Sequence, residues 1–194
     1  VGMPINVLST QTIGRVLEGG ASVCRAAGIP IAGGHTIDSV EAIYGLVALG
    51  LIHPKRVKRN ADARAGDLLV LGKPLGVGVM SAALKKEQLG EAGYAAMIAN
   101  TTKLNTPGPE LAALSGVHAL TDVTGFGLAG HALEIAKGAH ATVVIDWSRV
   151  PLSSARNTGD VSIRRISALV RATISGQSAS PMARSDVMAL LTLR

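Results

Sequence analysis

The chain has 194 residues, 47% of them apolar and only 2% aromatic. That suffices for a buried core, which must be aliphatic, and leaves little ring surface for stacking nucleic-acid bases. The net charge of +6 gathers at one end: residues 149–194 hold 7 Arg, no Lys and 2 acids, against 12 basic and 11 acidic residues before them, so the basic balance does not mark the main body as nucleic-acid binding.

The chain opens on Val1-Gly2 with no signal-peptide pattern, and its first residues read as mid-domain sequence. A piece of a longer protein is therefore expected. Residues 9–27 read as a helix, with Ser9 or Thr10 as N-cap, Ile13, Leu17 and Cys24 near one stripe, and Gly28 as the stop. Gly19-Gly20 inside it implies close packing of another element. Cys24 is the single cysteine, which excludes an intrachain disulfide and fits a reducing, cytoplasmic compartment. On an apolar helix face it reads as a core residue rather than an activated thiol.

Ile29 to Ala32 is a short strand candidate, and Gly33-Gly34-His35 follows as a turn that a ligand could approach closely. Glu41 to Ile52 reads as a long aliphatic strand. Within it, the apolar run Ala42 to Ile52 has 11 residues, too few to span a bilayer as a helix. His53 to Gly66 is polar and basic, expected as a solvated inter-domain connection whose cations have a second possible role over phosphate. Asp67 to Gly72 is a strand, and Lys73 to Gly78 a turn leading into a helix over Val77–Lys86. This layout suits phosphate but lacks the P-loop pattern. Helices are expected over 91–103 and from Pro107 through Leu114. A strand over Val117–Thr121, a helix over Phe126–Lys137 and a strand over Ala141–Asp146 follow. Strands and helices mix without clean alternation, which predicts an α+β fold.

The richest stretch is Thr121-Asp122-Val123-Thr124-Gly125-Phe126-Gly127-Leu128-Ala129-Gly130-His131. It places one carboxylate before a glycine-rich turn that opens a helix. A cation held there would lie beside the amides and positive dipole end of that helix, an arrangement suited to a metal-bound phosphate. Taken with Ala32 to Asp38, Arg56 to Ala61 and Gly72 to Gly78, this stretch closely resembles the selenophosphate synthetase (selenide, water dikinase) family, over about residues 3–152.

The resemblance implies the aminoimidazole-ribonucleotide synthetase-like architecture: two α+β domains, pairing as a homodimer through strands of the N-terminal domain. Residues 1–53 would close the N-terminal, ATP-binding domain and 54–152 open the C-terminal one, each domain incomplete. The family activity it implies uses ATP and Mg²⁺ to turn selenide into selenophosphate, with AMP and phosphate released. By position, Gly33, Gly34 and His35 match the ATP-contacting segment, and Asp122 matches a Mg²⁺-ligating aspartate. Lys73 is a weaker candidate for a phosphate contact. Asp38 and Glu41 are expected to order their loop rather than bind metal. The family's Cys or selenocysteine nucleophile, its partner Lys and its other metal-binding aspartates would all precede Val1. No catalytic nucleophile is therefore assigned, and the chain by itself is expected to be inactive.

The resemblance stops near Leu152. Residues 153–194 form an Arg- and Ser-rich tail, expected as an off-frame or truncated reading, with a possible basic helix over 161–172. Two rival readings stand beside the first. One is another ATP-using relative, such as a thiamine-monophosphate kinase, the purine-pathway synthetase or a hydrogenase-maturation protein. The other is a non-catalytic product whose basic tail binds nucleic acid or acidic surfaces. Nothing in the sequence suggests a membrane partner.

Overall fold

The computed structural model describes residues 1–150, 152–153, 168–175 and 187–191. The chain divides into two compact units, Val1–Ile52 and His53–Arg194.

The first unit is built on helix α1 (Thr10–Ala26). Its start follows from capping: the Ser9 hydroxyl accepts the Thr12 N–H at 3.1 Å. Its end follows from Gly28, whose φ of 70° closes the last turn without a Cβ penalty. Gly20 and Cys24 face inward. A Cβ on Gly20 would stand 1.6 Å from the Tyr44 hydroxyl oxygen, while Gly19 meets nothing within 4 Å. Of the glycine pair, then, only the second makes the expected close contact. Strand β1 (Gly2–Met3) pairs in parallel with β2 (Ile37–Asp38), with Gly2 opposite Ile37 and Met3 opposite Asp38.

Two expected strands do not form. Residues 29–32 are irregular, and of 41–52 only Ile43 bridges, to Gly2. A strand exists only where a neighbour takes its N–H and C=O groups. Beyond Ile43 this segment finds no such neighbour among the described residues, and Val47, Leu49 and Leu51 are almost wholly exposed.

The second unit holds a mixed five-stranded sheet. Its strands are β3 (Leu68–Leu71), β4 (Val117–Asp122), β5 (Thr142–Val143), β6 (Ala168–Ser175) and β7 (Val187–Leu191). The order is β4-β7-β3-β6-β5. Strand β7 runs parallel to both β3 and β4, whereas β6 is antiparallel to β3 and β5. Helices α2 (Val77–Lys85), α3 (Glu91–Thr102), α4 (Gly108–Ala113) and α5 (Gly127–Gly138) complete the unit. The fold is α+β, as expected. The core is aliphatic, with Leu69, Leu71, Ala119, Val123, Leu128 and Ile135 at its centre.

Three local expectations need correction. Within 161–172, residues 168–172 belong to strand β6, not a helix, and 161–167 lie outside the described residues. The β-branched Val170, Thr173 and Ile174 favour extended backbone, and β3 lies beside them to pair. The strand expected over 141–146 shortens to Thr142–Val143. Asp146 turns back, its Oδ1 accepting the Ser148 N–H at 3.0 Å. The segment 53–66 is only partly a solvated connection: Ala63 enters the core, and Ala61 packs so closely on α5 that a Cβ on Gly138 would lie 2.8 Å from its own.

Candidate functional site

Strands β3 and β4 both run toward the same end of the sheet through β7. The carboxyl ends of parallel strands are where an α/β sheet leaves a crevice for ligands. Each of the two strands is followed here by a glycine-containing turn and a helix, and the two turns wall a cavity of about 240 Å³. The β3 side supplies Lys73 to Val79, and the β4 side supplies Val123, Thr124, Gly125, Gly127 and Leu128. Neither α2 nor α5 carries a side-chain cap on its first turn. Their leading amides therefore depend on other acceptors, and the positive ends of both dipoles border the same space. Gly76, with φ of 126°, makes the bend that starts α2. That bend is held from behind, where the Ser153 N–H donates to the Leu75 carbonyl at 2.6 Å.

Lys73 lines the cavity but is only 5% exposed. Its Nζ donates to the Lys103 carbonyl. Burial, with the Lys103 charge adding to it, holds its ammonium below the ordinary value for a lysine. Beside it, Asn100 Nδ2 donates to the Pro74 carbonyl at 2.9 Å, fixing the turn.

Asp122 is the last residue of β4 and half-buried, directly before the Val123–Gly125 wall. Its carboxylate supplies the hard oxygen that Mg²⁺ prefers. Such an ion commonly takes one or two protein carboxylates and completes its shell with phosphate oxygens and water. Among the described residues, no group of three or more His, Cys, Asp and Glu converges on one point. Asp122 itself is not among the residues that line the cavity; it stands one position before them in the chain.

Gly33, Gly34 and His35 lie in the other unit, in the exposed loop between α1 and β2. Nothing stands within 4 Å of where a Cβ on either glycine would sit, so the backbone is open to approach. The His35 carbonyl is taken by the Val1 N–H at 2.8 Å, which ties the loop to β1. Asp38 Oδ1 accepts the Ile5 N–H at 3.4 Å, the loop-ordering role expected of it.

Two buried histidines had no assigned role at the level of sequence. His131, on α5, accepts the Thr124 N–H on Nε2 at 3.0 Å, and its Nδ1 lies 3.2 Å from Glu134 Oε2. The seven-residue spacing from Thr124, across the turn into the helix, was the available signal. His118, on β4, pairs through Nδ1 with Asp67 Oδ1 at 2.9 Å, and both side chains are buried. Asp67 Oδ2 also accepts the Arg64 N–H at 2.9 Å. No sequence pattern joins Asp67 to His118, because only the tertiary fold brings them together. His118 borders a second, polar hollow of about 510 Å³, lined also by Lys58 and Arg64. Of the cations of 53–66, Lys58 and Arg64 line that hollow, and none lines the first cavity.

Comparison with known proteins bears on both units. The family "AIR synthase related protein, N-terminal domain" matches residues 1–52, and "AIR synthase related protein, C-terminal domain" matches 64–168. Among curated proteins, the chain is 71% identical over 151 residues to the "Selenide, water dikinase" of Burkholderia ambifaria (strain MC40-6), covering 78% of this chain and 43% of that protein. The protein of the same name from Pseudomonas straminea is 66% identical over 152 residues (78% and 43%). That from Rhizobium meliloti (strain 1021) is 55% identical over 154 residues (79% and 44%). The chain therefore spans less than half the length of these relatives. No helix among the described residues is long and apolar enough to cross a membrane.

Proposed function

The chain belongs to the AIR synthase related family, and from that premise we propose that it is part of a selenophosphate synthetase. The proposed reaction takes ATP, selenide and water to selenophosphate, AMP and orthophosphate. One observation carries this reading: 71% identity over 151 residues, 78% of this chain, to a selenide, water dikinase. Residues 1–53 would be the closing part of an ATP-binding domain, and 54–152 the opening part of its companion. In the whole protein we expect a cytoplasmic homodimer.

Roles for this chain's residues follow from their chemistry. The open backbone at Gly33 and Gly34, with His35, would lie against the nucleotide. Asp122 would hold Mg²⁺, which when bound neutralises phosphate oxygens during transfer. First-turn amides of α2 and α5 that no side chain caps would donate to phosphate oxygens. Lys73, buried and already bonded to a carbonyl, would set the positive potential of the cavity rather than reach out to a ligand.

The test is selenide-dependent AMP formation, followed by phosphorus NMR, in the protein encoded by the whole reading frame that contains this chain. Appearance of a selenophosphate resonance with AMP is expected. ATP turnover indifferent to selenide would sink the assignment in favour of another ATP-using relative. In the same protein, Asp122→Asn is expected to weaken Mg²⁺-dependent ATP binding by about tenfold or more, the scale of one charge-assisted contact. Calorimetric titration with Mg-ATP reads this, and an unchanged affinity removes Asp122 from the metal role.

A further inference from the structure

The turn from β4 into α5 carries one wall of the cavity, and a single buried ring holds it from the inside. His131 is 6% exposed. Its Nε2 accepts the Thr124 amide N–H at 3.0 Å and lies 3.3 Å from the Thr124 hydroxyl. A nitrogen that accepts an amide proton carries no proton of its own, so the ring proton must sit on Nδ1. There it donates to Glu134 Oε2, 3.2 Å away. A carboxylate on one ring nitrogen thus sets the tautomer that lets the other grip the backbone. Phe126 lies beside this arrangement, its ring centroid 5.6 Å from that of His131 and tilted against it. Gly130 makes room for it: a Cβ there would stand 2.7 Å from Phe126 Cβ.

We propose that His131 is a positioning residue for the cavity. In the Nδ1–H tautomer selected by Glu134, it fixes the Thr124 amide. It thereby fixes the direction in which Thr124 and Gly125 face the cavity and in which Asp122 leaves β4. The consequence for nucleotide rests on the selenophosphate synthetase reading, whereas the hold on the turn rests on the geometry alone.

The test compares His131→Leu, which removes both ring nitrogens, with His131→Gln, whose amide oxygen reaches about where Nε2 does. Amide hydrogen exchange at Thr124 is read by NMR against the amides of Ala119 in β4 and Ile135 in α5, and Mg-ATP affinity is measured in parallel. His131→Leu is expected to speed Thr124 exchange about tenfold, leave the two reference amides unchanged and weaken Mg-ATP binding. His131→Gln is expected to restore both readings to within about threefold of the parent. Nitrogen NMR of the parent should find the His131 proton on Nδ1. The proposal falls if Thr124 exchange is unchanged in His131→Leu, if Ala119 and Ile135 accelerate equally, or if the proton sits on Nε2. If Thr124 accelerates as stated while the protein encoded by the whole reading frame binds no Mg-ATP, the positioning role stands and the nucleotide reading fails.

Discussion

Individual residues divide by whether their role is local. The setting of Asp122, at the end of β4 and before a glycine turn and a helix, was legible because those neighbours adjoin it in the chain. Lys73 was half legible. Its place after β3 was evident, but its burial and its bond to the Lys103 carbonyl depend on α3 folding back over it. Burial lowers its ammonium from the ordinary value of 10.5, so the unfolded chain holds this proton to higher pH than the folded one does. Between the lowered value and 10.5 the unfolded state binds more protons, and the stability attributable to this group rises with pH across that window. Lys73→Met should therefore compare best with the parent at neutral pH and lose ground as pH approaches 10.5. Urea midpoints of both proteins at several pH values measure this, and a difference that does not change with pH excludes it. The Asp67–His118 pair was not legible at all, since its partners stand 51 positions apart.

At the level of elements, helices were read better than strands. A helix closes its hydrogen bonds within its own sequence, so caps and breakers place it. Ser9 and Gly28 bound α1 where their chemistry requires. What a helix touches is another matter, and its glycines show this. Gly14 in α1 faces open space, so Gly14→Ala should stabilise by about 0.5–1 kcal/mol through helix propensity. Gly138 ends α5 against Ala61, and an added Cβ would meet the Ala61 Cα at 2.9 Å as well as its Cβ. Backbone does not swing aside as a side-chain tip does, so Gly138→Ala should cost about 1–3 kcal/mol. Thermal unfolding of the two variants should move in opposite directions, and a shift of the same sign in both would refute the contrast. Strands were misplaced over 29–32 and 41–52 because apolar sequence proposes a strand and only a neighbour completes it.

At the scale of the whole chain, the two units differ in how much apolar surface they cover. The second surrounds an aliphatic core with sheet and helices. The first leaves Val40, Val47, Leu49 and Leu51 at 89% exposure or more. A contiguous apolar stretch of this kind drives association. The 194-residue chain is accordingly expected to self-associate in a concentration-dependent way, and Leu49→Lys with Leu51→Lys to weaken that by tenfold or more. Sedimentation velocity across a dilution series decides the matter, and a parent chain that stays monomeric at tens of micromolar would contradict it.

The sequence by itself determined the α+β class, the helices and the cap of α1, the aliphatic core and the acidic glycine-rich turn at Asp122. Each is a property of residues near one another in the chain, where propensity and capping act without help. Tertiary structure alone decided that two helix N-termini share one cavity, that Lys73 is buried and bonded, that His131 grips Thr124, and that 168–175 and 187–191 pair with β3. These depend on which strands lie side by side, and that is settled by hydrogen-bond partners and burial across the chain rather than by any residue's own preference.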